Sequence, residues 1–189
     1  MEKVTIGTNP TICPMPVTLS GSVVCGRPNF MTVAFISRVC MDPPLLSMGL
    51  NKRSATREAI LENQTFSVNF PSAAMMKETD YCGIVSAKNT EKSMLFPVFY
   101  GSLPTAPMIR SSPLSFECKL VETHDFRSHT CIIGEIVASH LDKSCLTEGK
   151  PDPKKINPLF LTMPDNHYWT LGECAGIAWS VGKELTVRK

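Results

Sequence analysis

The chain has 189 residues, of which 43% are hydrophobic, and its 19 basic and 17 acidic residues give a net charge of +2. This length suits one domain, and the hydrophobic content argues against a largely disordered chain. The near balance of charge gives neither a basic footprint for nucleic acid nor a polybasic patch for a membrane surface. The apolar runs are shorter than the roughly 20 residues that span a bilayer, and residues 1–6 lack the apolar middle of a signal peptide. We therefore expect a soluble, cytoplasmic protein.

Eight cysteines are spread along the chain at positions 13, 25, 40, 82, 118, 131, 145 and 174. No two of them have the C-x-x-C spacing of zinc or cluster sites, so we expect no metal site. A chain of this size and apolar content does not need a disulfide framework. Cys118 and Cys131 lie inside apolar runs, and we interpret them as small core residues.

Short runs with strand character, separated by 15 prolines and 11 glycines, dominate the chain. In chain order they predict strands at 17–24, 30–36, 45–50, 66–70, 115–123 and 130–140. Gly134, inside the last of these, indicates a bulge or a close approach of another chain segment. Short helices are predicted at 56–62, 72–85 and 89–95. The absence of βαβ alternation disfavours a doubly wound sheet and favours an antiparallel barrel or sandwich.

The whole chain, residues 1–189, is predicted to form a single domain. The proline-rich stretch 97–113 is expected to be a loop that crosses between two groups of strands. Residues 151–189 are expected to form a C-terminal extension of the same domain.

The turn that follows the third predicted strand carries an unusual set of polar groups. Residues 51–56 read Asn-Lys-Arg-Ser-Ala-Thr, and a short helix follows with Ser54 or Thr56 as its N-cap. A helix start offers free backbone N–H groups and a partial positive charge. Together with Lys52, Arg53 and Arg57, these groups could hold a phosphate. Taken alone, the same stretch also fits an ordinary strand-turn-helix with a solvated basic turn.

Four separated segments, taken in order, resemble the flavoredoxin branch of the flavin reductase-like family. They are residues 27–35, containing Asn-Phe-Met-Thr-Val-Ala-Phe; residues 43–56, from Pro-Pro to Ser-Ala-Thr; residues 79–92, with Asp-Tyr-Cys-Gly, a serine and a lysine; and residues 116–137, with a histidine before Gly-Glu-Ile-Val. The resemblance covers roughly residues 17–172. It implies a mainly β fold, the FMN-binding split barrel, which is an antiparallel Greek-key β-barrel with a few short peripheral helices. It also implies a homodimer with the flavin near the subunit interface.

The resemblance further implies FMN as cofactor and assigns contacts to it. Asn29 and residues 32–35 would lie along the isoalloxazine and ribityl, and 51–56 would hold the ribityl and phosphate. Ser86 and Lys92 would lie near the phosphate, and His129 and Phe160 near the ring. The complete set is Asn29, Thr32, Val33, Ala34, Phe35, Asn51, Arg53, Ser54, Thr56, Ser86, Lys92, His129 and Phe160. No catalytic nucleophile or acid–base pair is needed, because the flavin carries the electrons.

Two positions depart from the family pattern. Phe35 stands where flavoredoxins often have tryptophan, which keeps an apolar plane but removes the indole donor. Residues 127–129 read Arg-Ser-His, where many reductases carry Gly-Asp-His, a segment that helps to engage nicotinamide. The sequence therefore supports nicotinamide binding less strongly than flavin binding.

Three functions follow as alternatives. The first is a flavoredoxin-type electron carrier that binds FMN and serves a redox partner protein. The second is an enzyme, an NAD(P)H-dependent flavin or ferric reductase. The third is a β-barrel binding module without a cofactor. The spread of the matching segments over most of the chain favours the first.

Overall fold

Short antiparallel strands make up most of the computed structural model, which describes residues 2–5, 7 and 14–185. In this part of the chain the strands are β1 (Met15–Pro16), β2 (Thr18–Val24), β3 (Arg27–Val33), β4 (Ile36–Cys40), β5 (Leu45–Asn51), β6 (Thr65–Phe70), β7 (Val98–Phe99), β8 (Met108–Ile109), β9 (Leu114–Asp125), β10 (His129–Leu141), β11 (Leu146–Thr147), β12 (Lys150–Pro151), β13 (Phe160–Thr162) and β14 (His167–Trp169). The helices are α1 (Ala55–Asn63), α2 (Met76–Ile84) and α3 (Pro153–Ile156).

Seven of these strands form one antiparallel sheet in the order β3-β2-β6-β9-β10-β5-β4. The two edge strands, β3 and β4, are separated along the chain by only Ala34 and Phe35. Val33 pairs with Thr18 on β2, whereas the carbonyl of Phe35 accepts a hydrogen bond of 2.8 Å from the N–H of Gly49 on β5. One bent segment therefore supplies both edges and closes the sheet. The predicted mainly β fold, an antiparallel barrel with a few short helices, is confirmed.

The barrel interior is filled by alternate residues of its strands. On β5 every second side chain is buried, namely Leu46, Met48 and Leu50, as the period of two in a strand requires. They pack with Phe66, Val68, Cys118, Ile132 and Ile60 of α1. A second cluster lies between the barrel and α2, formed by Leu19, Phe30, Met75, Cys82, Phe96 and Ile109. Cys118 is therefore a core residue, as predicted, whereas the same prediction for Cys131 is wrong, because Cys131 is only half buried and lines a cavity.

The first two predicted helices exist, and the third does not. Ser54 caps α1, since its Oγ accepts a hydrogen bond of 3.1 Å from the N–H of Arg57. The second predicted helix begins as a 3₁₀ turn at Ala73–Met75 and continues as α2. The prediction of a helix at 89–95 is wrong, because turns occupy this segment and buried Lys92 fixes it to neighbouring carbonyl groups. Buried contacts therefore override the local sequence signals for a helix, among them Asn89 and Thr90, which are residue types that can cap a helix.

Two further segments contain structure that the sequence analysis did not predict. The proline-rich loop 97–113 contains the paired strands β7 and β8. The predicted C-terminal extension contains α3, β13 and β14, and β13 pairs with β1 through Pro16 and Phe160. Cys13 and residues 186–189 lie outside the described residues, and the extent of the domain stays a prediction. Among the described residues, no helix has the length and apolar character that crossing a membrane requires.

Gly134 lies where the ladder between β9 and β10 shifts its register. A Cβ built on Gly134 would overlap the ring of Phe66, which fills the barrel interior. Both readings of this glycine from the sequence, a bulge and a close approach, are confirmed.

We expect Gly134→Ala to lower the free energy of unfolding by about 1–3 kcal/mol, the usual cost of overpacking a core. Guanidinium unfolding followed by circular dichroism measures this loss. In a Phe66→Leu background the ring is gone, so the same substitution should cost clearly less. An equal cost in both backgrounds would contradict the assigned clash.

Candidate functional site

The loop between β5 and α1 is shaped by its own polar groups. The Oδ1 of Asn51 accepts a hydrogen bond of 2.9 Å from the N–H of Arg53, and its carbonyl accepts one of 3.0 Å from the N–H of Ser54. Asn51 and Ser54 therefore use their side chains to form the turn and to cap the helix. The first N–H groups of α1 have no partners inside the helix, so they are available to an anion.

A cavity of about 280 Å³ opens at this helix start. On its other side it is bounded by the end of α2 and the turn that follows. It brings together six of the predicted site residues: Asn51, Arg53, Ser54, Thr56, Ser86 and Lys92. We call it the loop cavity. Two predicted segments that lie 30 residues or more apart in the sequence therefore meet at this cavity.

Arg53 and Lys92 supply the positive charge of the loop cavity. Arg53 is exposed, and no hydrogen bond or ion pair joins its guanidinium to another described residue. Lys92 is only 5% exposed and donates hydrogen bonds to the carbonyls of Phe30 at 2.6 Å and Val85 at 3.1 Å. Burial lowers the pKa of Lys92, because the charged form loses its hydration. The guanidinium of Arg53 is thus free to contact a ligand, whereas the ammonium group of Lys92 is fixed.

Lys52 and Arg57 were also candidate phosphate ligands in the sequence analysis. Both instead form ion pairs with Asp125 on β9. Their nitrogens lie 3.3 and 3.5 Å from the oxygens of Asp125, and the Nε of Arg57 donates to the hydroxyl of Thr130 at 2.7 Å. The hydrogen bond from Thr130, together with Lys52 and Arg57, holds the pKa of Asp125 below its usual value. Of the three basic residues at this turn, only Arg53 lines the loop cavity.

Asn29 and Thr32, on β3, are held by hydrogen bonds within the protein. Asn29 is buried, and its Nδ2 donates to the hydroxyl of Thr56 at 2.8 Å. The Oδ1 of Asn29 is buried and has no partner among the described residues. Asn29 is one of the residues that line a neighbouring cavity of about 460 Å³, which shares Lys92 with the loop cavity. The hydroxyl of Thr32 donates to the carbonyl of Thr79 and so ties β3 to α2.

Ala34 and Phe35 line a different cavity, of about 470 Å³, together with Gly49 and Cys131. We call it the ring cavity. Phe35 is half exposed, and its ring centroid lies 5.8 Å from that of His129. These side chains offer the flat, largely apolar walls that an isoalloxazine needs.

His129 links the two ends of the candidate site. It pairs with Asn51 in the ladder between β10 and β5, so it adjoins the loop that heads α1. Its Nδ1 lies 2.9 Å from the hydroxyl of Ser128, while its ring faces Phe35. The strand pairing therefore fixes the ring wall relative to the phosphate end.

Two predicted contacts are placed elsewhere. The side chain of Val33 is buried in the barrel core, so only its backbone can face a ligand. Phe160 is half buried on β13 opposite Pro16, and it does not line the ring cavity, although Pro16 does.

The sequence analysis missed seven residues that line the loop cavity: Met31, Ala55, Cys82, Gly83, Ile84, Val85 and Ala87. Cys82 and Gly83 belong to the segment that carried the family resemblance, which was the available signal. Ala55 contributes through its position in the first turn of α1. Burial raises the pKa of the Cys82 thiol to about 11, and nearby Lys92 opposes this rise only in part.

Comparison with known proteins gives four findings. The sequence model of the family described as "Flavin reductase like domain" matches residues 11–164. The chain is 51% identical to the flavoredoxin from Methanosarcina acetivorans, whose crystal structure superimposes with a TM-score of 0.95 and covers 98% of this chain and 100% of that one. Flavoredoxin of Desulfovibrio vulgaris (Miyazaki F) is 32% identical, with a TM-score of 0.90 over 96% of this chain and 100% of that one. The FMN reductase (NADH) SmoA of Agrobacterium fabrum is 30% identical over 129 residues, which are 67% of this chain and 70% of that protein.

We expect Cys82 to react with iodoacetamide far more slowly than the exposed Cys25 and Cys174 at neutral pH, because the thiolate is the nucleophile and the pKa of Cys82 is raised to about 11. Peptide mapping by mass spectrometry after timed labelling measures the three rates in one sample. Labelling of Cys82 as fast as Cys25 would show that the thiol is not buried as described.

Proposed function

The chain belongs to the flavin reductase like domain family, and on that premise we propose that it binds FMN and carries electrons as a flavoredoxin. The observation that carries the proposal is the loop cavity, where the start of α1, the unpaired guanidinium of Arg53 and buried Lys92 converge. The similarity to flavoredoxin from Methanosarcina acetivorans over nearly the whole chain supports the same function. The alternative of a binding module without a cofactor has no comparable support.

The loop cavity fits the phosphate of FMN in charge and in donors. Arg53 can present two N–H groups to a phosphate in the forked geometry that guanidinium groups favour. The first turn of α1 adds backbone N–H donors and a partial positive charge. Thr56, which Asn29 fixes through a hydrogen bond, offers a hydroxyl at the same end. The donor set is complete without Lys52 or Arg57.

The Oδ1 of Asn29, which has no hydrogen-bond partner among the described residues, also supports FMN as the ligand. A buried acceptor without a hydrogen bond is costly, and native proteins rarely leave one. A hydroxyl donor on a bound ligand would satisfy it, and the ribityl chain of FMN carries such hydroxyls. Asn29 would then orient Thr56 with its Nδ2 and the ligand with its Oδ1.

The ring cavity suits the isoalloxazine. Phe35 forms one wall, with the ring of His129 next to it, and Gly49 leaves room beside Phe35, because a Cβ on Gly49 would come within 3.2 Å of the Cβ of Phe35. FMN, when bound, supplies the reversible uptake and release of electrons. The residues of this chain bind and orient the cofactor and exclude water from one face of the ring. Backbone N–H groups at the bend between β3 and β4 can donate to the polar edge of the ring.

A second candidate is direct reduction by a nicotinamide cofactor. The similarity to the FMN reductase (NADH) SmoA supports it. The replacement of Gly-Asp by Arg127-Ser128 before His129 weighs against direct reduction by a nicotinamide cofactor. The hydroxyl of Ser128 already forms a hydrogen bond with the Nδ1 of His129. We therefore place the electron carrier first and the reductase second.

We also propose that the protein is a cytoplasmic homodimer. Large apolar side chains remain exposed in the single chain at the ring cavity and along the barrel, including Phe35, Val39 and Met41. Burial of such residues against a second copy is a common way to cover them.

We expect Arg53→Ala to weaken FMN binding by about 1–3 kcal/mol, the cost of a lost charge-assisted hydrogen bond. Quenching of FMN fluorescence during titration with apoprotein measures the affinity. Arg110→Ala is the matched control, because Arg110 is also exposed, lies over the ring of Phe99 and lines neither cavity. Equal affinity of both variants would show that the phosphate lies elsewhere.

The electron donor separates the two candidates. For a carrier, anaerobic addition of reduced ferredoxin should bleach the flavin absorbance of the FMN-loaded protein rapidly, whereas NADH and NADPH should bleach it slowly or not at all. Stopped-flow absorbance records the three rates, and dithionite gives the fully reduced reference. Rapid bleaching by NADH would favour the reductase instead.

A further inference from the structure

The hairpin loop between β9 and β10 carries side chains that the turn itself does not require. Residues 126–128 read Phe-Arg-Ser, whereas tight hairpin loops favour glycine, asparagine and aspartate. Phe126 is 64% exposed, and Arg127 is exposed as well. Neither residue lines the loop cavity or the ring cavity. Both side chains are therefore available to a molecule that meets the protein from outside.

The backbone of this hairpin loop is fixed to the loop that heads α1. The N–H of Phe126 donates a hydrogen bond of 2.8 Å to the carbonyl of His129, which closes the hairpin. The N–H of Lys52 donates one of 3.1 Å to the carbonyl of Ser128. The ammonium group of Lys52 also lies 3.3 Å from the carboxylate of Asp125, at the base of the loop. A partner would thus meet a surface that is already formed, which lowers the entropic cost of binding.

Positive charge is concentrated at this end of the hairpin. Three cations, Lys52, Arg57 and Arg127, lie here with one carboxylate, that of Asp125. Arg127 takes part in none of the ion pairs between described residues. The next carboxylate on β9, that of Glu122, is farther from the loop and lies 3.0 Å from a histidine nitrogen. This small region therefore carries as much net positive charge as the whole chain, which is +2.

The same end of the hairpin lies close to the ring cavity. We call the surface formed by Lys52, Phe126 and Arg127 the tip surface. His129 follows the loop directly, and its ring centroid lies 5.8 Å from that of Phe35, which lines the ring cavity. Few side chains therefore separate the tip surface from that cavity. Complexes that transfer electrons are small and short-lived, with less than about 1,200 Å² of total buried surface, so a hairpin tip is large enough to hold one.

We propose that the tip surface is the docking site of a small protein with an acidic surface and a one-electron redox centre. Complementary charge raises the rate of such encounters by about 10–10³-fold. The ring of Phe126 supplies the apolar contact, since aromatic residues are enriched at the centres of interfaces. In each encounter the reduced partner loses one electron and the bound flavin gains it, so two encounters, with protons from water, complete the reduction. The proposal rests on the electron-carrier function proposed above and names the chemistry of its partner.

Binding of oxidised ferredoxin, an acidic iron–sulfur protein, tests the surface without any electron transfer. Isothermal titration calorimetry with the FMN-loaded full chain at low salt measures the affinity. We expect Arg127→Glu and Phe126→Ser each to weaken binding by about tenfold. Arg110→Glu is the matched control, because Arg110 is exposed and lies over Phe99, whose ring contacts His140 near the other end of β10. Equal affinity of the Arg127→Glu and Arg110→Glu variants would overturn the docking site.

The salt dependence of flavin reduction tests the role of charge. With reduced ferredoxin, stopped-flow absorbance should give a second-order rate constant that falls several-fold from low to high salt, because salt screens the attraction. In Arg127→Glu this rate constant should be about tenfold lower at low salt and should depend less on salt. Reduction by dithionite should be the same in both proteins. A rate constant that rises with salt would overturn the proposal, as would a wild-type chain that ferredoxin neither binds nor reduces.

Two further measurements on the same variants separate this proposal from the other candidates. FMN titration reports the cofactor site, and neither Arg127→Glu nor Phe126→Ser should change the affinity for FMN. A wild-type chain that binds ferredoxin through the tip surface but binds no FMN would overturn the proposed function and leave the docking site intact. Bleaching by NADPH that slows in Arg127→Glu, with ferredoxin binding unchanged, would assign Arg127 to a nucleotide and overturn the docking site. Circular dichroism checks that each variant is folded.

Discussion

Closure of the barrel depends on the bent segment that forms both β3 and β4. The edge strands of an open sheet lie far apart, whereas here the two edge strands are consecutive parts of one bent segment. Here the chain pairs with β2 up to Val33, turns at Ala34 and Phe35, and pairs with β5 from Ile36 onward. The hydrogen bond from Gly49 to the carbonyl of Phe35 fixes the turn. Because β5 then runs directly into the loop that heads α1, this one closure sets the ring cavity relative to the loop cavity.

Six of the seven strands of the large sheet could be predicted, because their signals are local, whereas β4 was not predicted. Alternating apolar residues on β5 and the turn residues around each run mark the elements regardless of what they pack against. The bend at Ala34 and Phe35 has no such mark, since neither residue is a glycine or a proline, and the sequence therefore suggested one strand at 30–36. The third predicted helix failed for a related reason. Good local cap residues at 89 and 90 were outweighed by the burial of Lys92 against β3.

The candidate site shows the same division between local and distant information. The turn that heads α1 could be predicted, because strand, cap residue and helix follow one another within twenty residues. The separate destinations of Lys52, Arg53 and Arg57 could not, since they depend on Asp125, more than sixty residues away in the sequence and brought near by β9. Likewise nothing local shows that Asn29 would orient Thr56 across the barrel. Family resemblance located these residues, whereas the structure separates those that face a cavity from those that support them.

The buried ammonium group of Lys92 couples ligand binding in the loop cavity to the stability of the folded chain. Its charge is held away from water by two carbonyls, which carry only partial negative charge. A phosphate dianion beside it would offset that desolvation in the folded chain and would have no such site in the unfolded one, so the unfolding equilibrium would shift with ligand concentration. The steady-state amount of intact protein in a cell would then follow the supply of flavin, because chains without it unfold and meet proteases more often.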